Sequence, residues 1–315
     1  GADPIRLAII ISAELLQDAD FNMESVSGIQ NKLESLYHEC IKLGDEKIEN
    51  LETEDKWILS KTQSMILQVT SAIEKMRLRE ALHDILYSFE SDLSWYLKRA
   101  GAKNRANISG ILRLVNSTRI AMLSPFAPHI AEEIWEKMGH LGMVSTSKWP
   151  EFSKDGIDPT SIQSEELLKS TIEDISNILK VTKITPKKIT IYTADAFKCK
   201  VYHSILEKVM AGQTNMGIVM KELIANQDTS DVKKIPDFVQ KTIKDILSEP
   251  TEIRQTKLQS KEFNENKFFT DELIELGRKD FGVEILVFSE SDSDIYDPKE
   301  KARHARPFKP AILIE

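Results

Sequence analysis

The sequence has almost no cysteine. Cys40 and Cys199 are the only two in 315 residues, and they form no CxxC pair. That excludes a disulfide framework and a thiolate zinc site, and it points to a reducing, cytoplasmic setting. The six histidines show no paired ligand spacing. His38 and Cys40 lie close together, but two ligands do not make a metal site, so no metal is expected. Long apolar runs are also missing. The nearest is LAIII at 7–11, far short of the ~18 residues that a membrane helix needs, so no membrane partner is expected. No basic segment is followed by a long apolar one, so no secretory leader is expected either. The loops that cradle phosphate, GxGxxG and GxxxxGK[ST], do not occur, and neither do GxSxG or HExxH. Acid pairs such as Asp18/Asp20 and Glu132/Glu133 read as solvated charge rather than a tuned acid–base pair. These residues offer no catalytic group and no cofactor site. The chemistry reads as that of a binding module.

What is present is unevenly distributed. Hydrophobic residues are 41% and charged residues 29%, an ordinary folded composition. The net charge of −8 argues on average against a polyanionic partner. The average hides segregation, because no Asp or Glu occurs from Leu93 to Ala131, where about six would be expected at the mean frequency. That stretch carries Lys98, Arg99, Lys103, Arg105, Arg113 and Arg119. The C-terminal end supplies Lys299, Lys301, Arg303, His304, Arg306 and Lys309, stiffened by Pro307 and Pro310. DTSDVKK at 228–234 and ESDSD at 290–294 break up any broad basic footprint, leaving recognition there to a few placed contacts.

Apolar periodicity predicts helices over 1–14, 23–43, 55–76, 78–100, 105–123 and 128–138. Asp3 and Pro4 provide a start signal for the first, and Gly44, Gly101 and Gly139 are stop signals. Pro128 presets φ for the last of these helices at a position that needs no N–H. The acidic segment 46–55 reads as a loop. Residues 1–150 are thus expected to be an all-α bundle, 151–182 a linker with a bridging helix at 165–180, and 183–315 a small α/β domain. In the α/β domain KKITIYT (187–193) and VEILVF (283–288) read as strands, AILIE as a third short one, and 200–211, 215–226, 236–248 and 270–280 as helices, the last capped by Thr270.

Several segments together resemble the class I aminoacyl-tRNA synthetases. GADPIR at 1–6 is similar to the segment that follows their KMSKS loop. DKWILSK at 55–61 is similar to the start of a helix in their anticodon-binding domain. SPFAPHIAEEIWEKMG at 124–139, followed by SKWPEF, resembles the signature of that domain in the leucyl, isoleucyl and valyl group. KKITIYTADAFK and ESDSDIYDPKEKARHARPFKPAILIE resemble the C-terminal domain of the archaeal and eukaryotic type of leucyl synthetase. The resemblance implies a mainly α fold, a helical anticodon-binding bundle followed by a small α/β domain. It implies tRNA(Leu) as partner, with the long variable arm read by the C-terminal domain.

It also implies a catalytic core elsewhere in a longer chain. HIGH and KMSKS are absent, so ATP and magnesium belong to that parent ligase, and the sequence in hand is expected to be inactive alone. Because it opens without Met inside an apolar-periodic segment, it reads as a fragment, expected to be monomeric. Candidate tRNA contacts are Lys98, Arg99, Lys103, Arg105, Arg113, Arg119, Lys301, Arg303, Arg306 and Lys309. Deleting 297–315 should lower affinity for leucine tRNA. His129, Trp135 and Trp149 are expected to serve packing. Two alternatives stand: the same region of an isoleucyl or valyl enzyme, and a helical protein-interaction module that binds no RNA.

Overall fold

The computed structural model describes residues 1–14, 17–18, 21–103, 107–212 and 235–315. The expected helix 215–226, the DTSDVKK segment and Arg105 lie outside the described residues. The chain divides into two compact units, Gly1–Asp158 and Pro159–Glu315.

The first unit is helical. α1 (Ala2–Ser12), α2 (Met23–Cys40), α3 (Thr53–Glu74), α4 (Leu78–His83), α5 (Phe89–Ala102), α6 (Ile108–Leu123) and α7 (Pro128–Lys137) follow in order. Their apolar stripes meet in a core that includes Leu7, Leu33, Trp57, Ile58, Val69, Leu82, Ile111, Val115 and Ile134. α2 stops at Cys40, before Gly44. α5 runs through Gly101, which does not end it. Between α4 and α5 the helix widens into one π turn, Asp84–Ser88, where the Phe89 N–H reaches back to the Asp84 carbonyl. A Cβ on Gly110 would meet the Glu46 carbonyl oxygen, so only glycine lets the 43–52 loop lie against α6.

The corner at 124–128 is held from a distance. Pro128 is the first residue of α7, and the N-cap is Ala127, which has no side-chain acceptor. The Asp3 carboxylate supplies one. It accepts the Ile130 N–H at 2.8 Å and meets His129 Nδ1 at 2.9 Å. Asp3 is therefore buried on the α7 terminus rather than free to cap its own helix. Replacing Asp3 by Ala should cost about 2 kcal/mol in urea unfolding of the helical unit, and Asn should recover part of it. A loss below ~0.5 kcal/mol would show that water caps α7 equally well. Trp149 donates to Thr70 Oγ1 at 2.9 Å, and Trp135 stacks on His140 with ring centroids 4.0 Å apart.

The expected 151–182 linker is divided. Residues 153 and 158 are tied to α3, through Ser153 N–H to Gln63 Oε1 (2.8 Å) and Asp158 N–H to Ser60 Oγ (2.9 Å). α8 (Pro159–Thr182) starts earlier than expected and belongs to the second unit, where Ser260 Oγ donates to the Pro159 carbonyl at 3.2 Å. The second unit continues with β1 (Lys188–Thr193), α9 (Ala196–Met210), α10 (Ile235–Ser248), α11 (Thr251–Gln259), α12 (Glu265–Phe268), a π turn (Phe269–Leu273), α13 (Ile274–Phe281), β2 (Glu284–Ser289) and β3 (Ala311–Ile314).

The sheet order is β2-β1-β3, with β2 parallel to β1 (Ile189 opposite Ile285) and β3 antiparallel (Ile191 opposite Ile312). Alternation in KITIYT suggests one wet face. In fact β1 is the central strand and is buried from Ile189 to Thr193. Asn264, not Thr270, caps the helix that leads into the π turn, accepting the Lys267 N–H at 3.0 Å. The second core joins Val201, Ile205, Leu206 and Val209 of α9 to Val239, Ile243 and Ile246 of α10.

Candidate nucleic-acid interface

The acid-free stretch is not acid-free in space. α3 opens with a capping box, Glu52 and Asp55, and Glu54 lies between them, as suits the positive end of a helix dipole. α5 packs against α3. Lys103 at the end of α5 lies 3.0 Å from Glu52 and 3.2 Å from Glu54. Arg99 turns inward, 1% exposed, with its guanidinium 4.0 Å from the buried Glu54 carboxylate. Tyr96 donates to Asp55 at 3.0 Å. Among the described cations of this stretch's first cluster, Lys98 is exposed, its ammonium 5.6 Å from the centroid of the Trp95 ring.

Arg119 is likewise 1% exposed. It donates to the carbonyls of Ile85 (2.7 Å) and Leu86 (3.3 Å) in the π turn and lies 3.6 Å from Glu90. Burial pulls its pKa down to about 10, so it stays charged at neutral pH. Arg113 is half-buried, binds the Met138 carbonyl at the end of α7, and lies 3.6 Å from Asp45. Arg99 and Arg119, both expected from sequence as candidate RNA contacts, are thus enclosed in the helical unit. Both are interior groups that satisfy buried acids and carbonyls. Lys103 and Arg113 are engaged in the same kind of work at the rim.

The basic tail is a built structure. Asp297 caps it, accepting the N–H groups of Lys301 (2.8 Å) and Ala302 (2.7 Å) and so holding a short 3₁₀ turn, Ala302–His304. Lys198 of α9 fastens it from below. Its ammonium bonds Glu290 (2.6 Å) and the carbonyls of Arg303 (3.1 Å) and Ala305 (2.9 Å). Ala302 and Ala305 pack on Tyr192 and Leu313. The outward groups are Lys299, Lys301, Arg303, His304 and Lys309. Arg303 pairs with exposed Glu300 at 2.8 Å, whereas Lys301 and Lys309 have no carboxylate partner among the described residues. Arg306 is half-buried and binds Asp245, and its backbone exchanges hydrogen bonds with Lys309 (3.0 and 2.9 Å). Lys198 was invisible to the sequence reading. Asp297 carries a signal, an Asp-Pro step ahead of a turn.

Among the described residues no cluster of three His, Cys, Asp or Glu side chains could hold a metal ion, and no helix is long and apolar enough to cross a membrane.

Residues 55–191 match the family model described as the anticodon-binding domain of tRNA ligase. Leucine–tRNA ligase of Methanococcoides burtonii is 34% identical over 323 positions, covering all of this chain and 32% of that protein. The enzyme of Methanosarcina barkeri is 33% identical with the same coverage, and that of Pyrococcus abyssi 34% with 31% of its length covered. Over its whole length the chain is similar to the archaeal leucine–tRNA ligases. It spans about a third of the length of these curated relatives. A solved leucyl synthetase chain, from the Agrobacterium radiobacter K84 agnB2 LeuRS–tRNA–LeuAMS ternary complex, covers 62% of this chain and 22% of its own length, at 16% identity and a TM-score of 0.42. A likeness at that level is too slight to place residues. The leucine–tRNA ligase resemblance and the fold class read from sequence, a helical anticodon-binding bundle with a small α/β part, both stand. The SPFAPHIAEEIWEKMG segment lies inside the matched domain.

Proposed function

We propose that this chain is the tRNA-binding part of a leucine–tRNA ligase, holding tRNA(Leu) by its body and long variable arm while a catalytic core elsewhere in the parent protein performs ATP-dependent leucylation. The observation that carries the reading is the similarity of the whole of this chain to about a third of the leucine–tRNA ligases, together with the anticodon-binding match over 55–191. The outward cations give it a physical basis. Lys301, Arg303 and Lys309 on the capped tail face solvent and can meet phosphate, and Lys98 on α5 is exposed as well. Arg105, outside the described residues, remains a candidate. Arg99, Arg119 and Arg306 act by holding the scaffold.

Deletion of 297–315 is a poor test, because it removes β3 and the alanines packed on Tyr192. Point substitutions avoid this. Converting Lys301, Arg303 and Lys309 together to Ala should leave unfolding unchanged, weaken leucine tRNA binding, and flatten the log–log salt slope by roughly two to three. A leucine tRNA with a shortened variable arm should bind the unaltered chain less well and be indifferent to the substitutions. Equal affinity for leucine tRNA, its shortened form and a tRNA of another specificity would overturn variable-arm reading. No binding at low salt would favour the protein-interaction module.

A further inference from the structure

A cleft of about 200 Å³ lies in the second unit between α9, α10, α11 and the turn that carries Arg306–Lys309. Its lining is unusual in leaving polar atoms unused. Tyr202 is 5% exposed, and its hydroxyl has no hydrogen-bond partner among the described residues. Glu249 uses one carboxylate oxygen to hold Lys257 at 2.6 Å, while the other is buried with no partner among the described residues. After burial, Glu249 is the strongest influence that raises the Tyr202 phenol pKa, so the two unused groups face one neighbourhood. Burying such an atom without a partner is costly. The ring of Phe308 forms a wall. That residue adopts φ +59°, a left-handed conformation that a bulky side chain rarely takes, and Glu265 holds its N–H at 2.7 Å. At the mouth stands exposed Lys309, with no carboxylate partner among the described residues.

These groups define a ligand. A buried carboxylate oxygen asks for an N–H donor, and a phenol beside it can donate to an adjacent acceptor. An aromatic wall takes a planar ring, and a solvent-facing ammonium takes an anion. An exocyclic amine next to a ring nitrogen, attached to a phosphate, has all four. We propose that this cleft accepts one unstacked nucleotide with an adenine or cytosine edge, the amine on Glu249, the ring nitrogen on Tyr202, and the phosphate at Lys309. Uracil is rejected because its 4-keto oxygen would face the Glu249 carboxylate where the amine belongs. The nucleotide comes either free or as an unpaired residue of a bound RNA. The second source alone rests on the tRNA reading above.

The test titrates the whole 315-residue chain with AMP, CMP, UMP and inorganic phosphate, following chemical shifts of the α9 and α10 amides. AMP and CMP should bind about ten-fold tighter than UMP or phosphate. Lys309→Ala, a surface change, should weaken AMP by a similar factor with the urea midpoint unchanged. Tyr202→Phe should weaken AMP and leave phosphate alone. Glu249→Gln, whose amide can donate to a keto group, should narrow the gap between AMP and UMP. Equal binding of AMP and UMP, phosphate as tight as AMP, or AMP affinity indifferent to both Lys309→Ala and Tyr202→Phe would overturn the site and leave a cleft that holds only water.

Excess leucine tRNA then separates the sources. Displacement of AMP assigns the cleft to an RNA nucleotide, and retention of AMP on the tRNA-bound chain assigns it to a free one. A chain that binds tRNA but no nucleotide loses the cleft and keeps the tRNA reading. A chain that binds AMP but no tRNA does the reverse.

Discussion

Arg119→Ala should destabilise the helical unit by about 3–5 kcal/mol in urea unfolding, more than any other single basic substitution in the first unit. The change removes the donors to the Ile85 and Leu86 carbonyls and the partner of Glu90. Glu90 is partly exposed and also reaches Lys32, so it can re-solvate. The two carbonyls cannot, because Ile85 and Leu86 are fully buried. Arg119→Met tests this. It restores most of the volume without donors, so a loss nearly as large as that of Ala assigns the cost to the unpaired carbonyls, and near-recovery assigns it to the cavity. In either case leucine tRNA affinity measured on the folded variant should match the parent. Unchanged stability with weakened tRNA binding would return Arg119 to the RNA surface.

Arg119 also shows where sequence reading stops. The missing acids from Leu93 to Ala131 are visible in one dimension, but their electrostatic consequence is three-dimensional. Glu52, Glu54 and Asp55 come from a segment forty residues away and sit beside α5, because two antiparallel stripes had to be buried and because acids favour the start of α3. Periodicity reveals which face is apolar. It does not reveal which charged face will lie against which. The π turn was equally hidden, since 78–100 keeps a regular apolar repeat while its backbone inserts one residue that Arg119 then satisfies.

The tail was read as basic, stiffened by Pro307 and Pro310, and its Lys301, Arg303 and Lys309 do face outward. Its anchor was missed, because a lysine such as Lys198 looks identical in sequence whether it faces solvent or ties three acceptors. The family signature fared better. PFAPH was legible because it is a local device, and only its distant cap, Asp3, needed the fold. Strand positions 188–193, 284–289 and 311–314 were legible within two residues, whereas the centrality of β1 depended on which strands pair.

The stability of the second unit should fall as pH rises from about 4.5 to about 7, through Glu265. This carboxyl is 7% exposed. Burial pushes its pKa up to about 7, against the smaller opposing pull of the Phe308 N–H and of Lys257. One oxygen accepts the Phe308 N–H and the other has no partner among the described residues. In the unfolded chain the group ionises near 4.5. Between the two values the unfolded state sheds a proton that the folded state retains, so the difference favours unfolding progressively and levels off above pH 7. The full span is roughly 3 kcal/mol, an order-of-magnitude figure for 2.5 pKa units.

Other groups act in the same window. Burial lowers the pKa of His203, which destabilises the fold on the acid side instead. The comparison with Glu265→Gln isolates the carboxyl. Gln keeps an acceptor for Phe308 and cannot ionise, so the variant should be the more stable protein at pH 8 and lose that advantage by pH 4.5. Protection of the α9 and α10 amides in hydrogen exchange, corrected for intrinsic rates, reads the second unit alone. A stability difference between the parent and Glu265→Gln that does not change with pH would mean that the carboxyl is ionised in the fold, with water reaching its second oxygen.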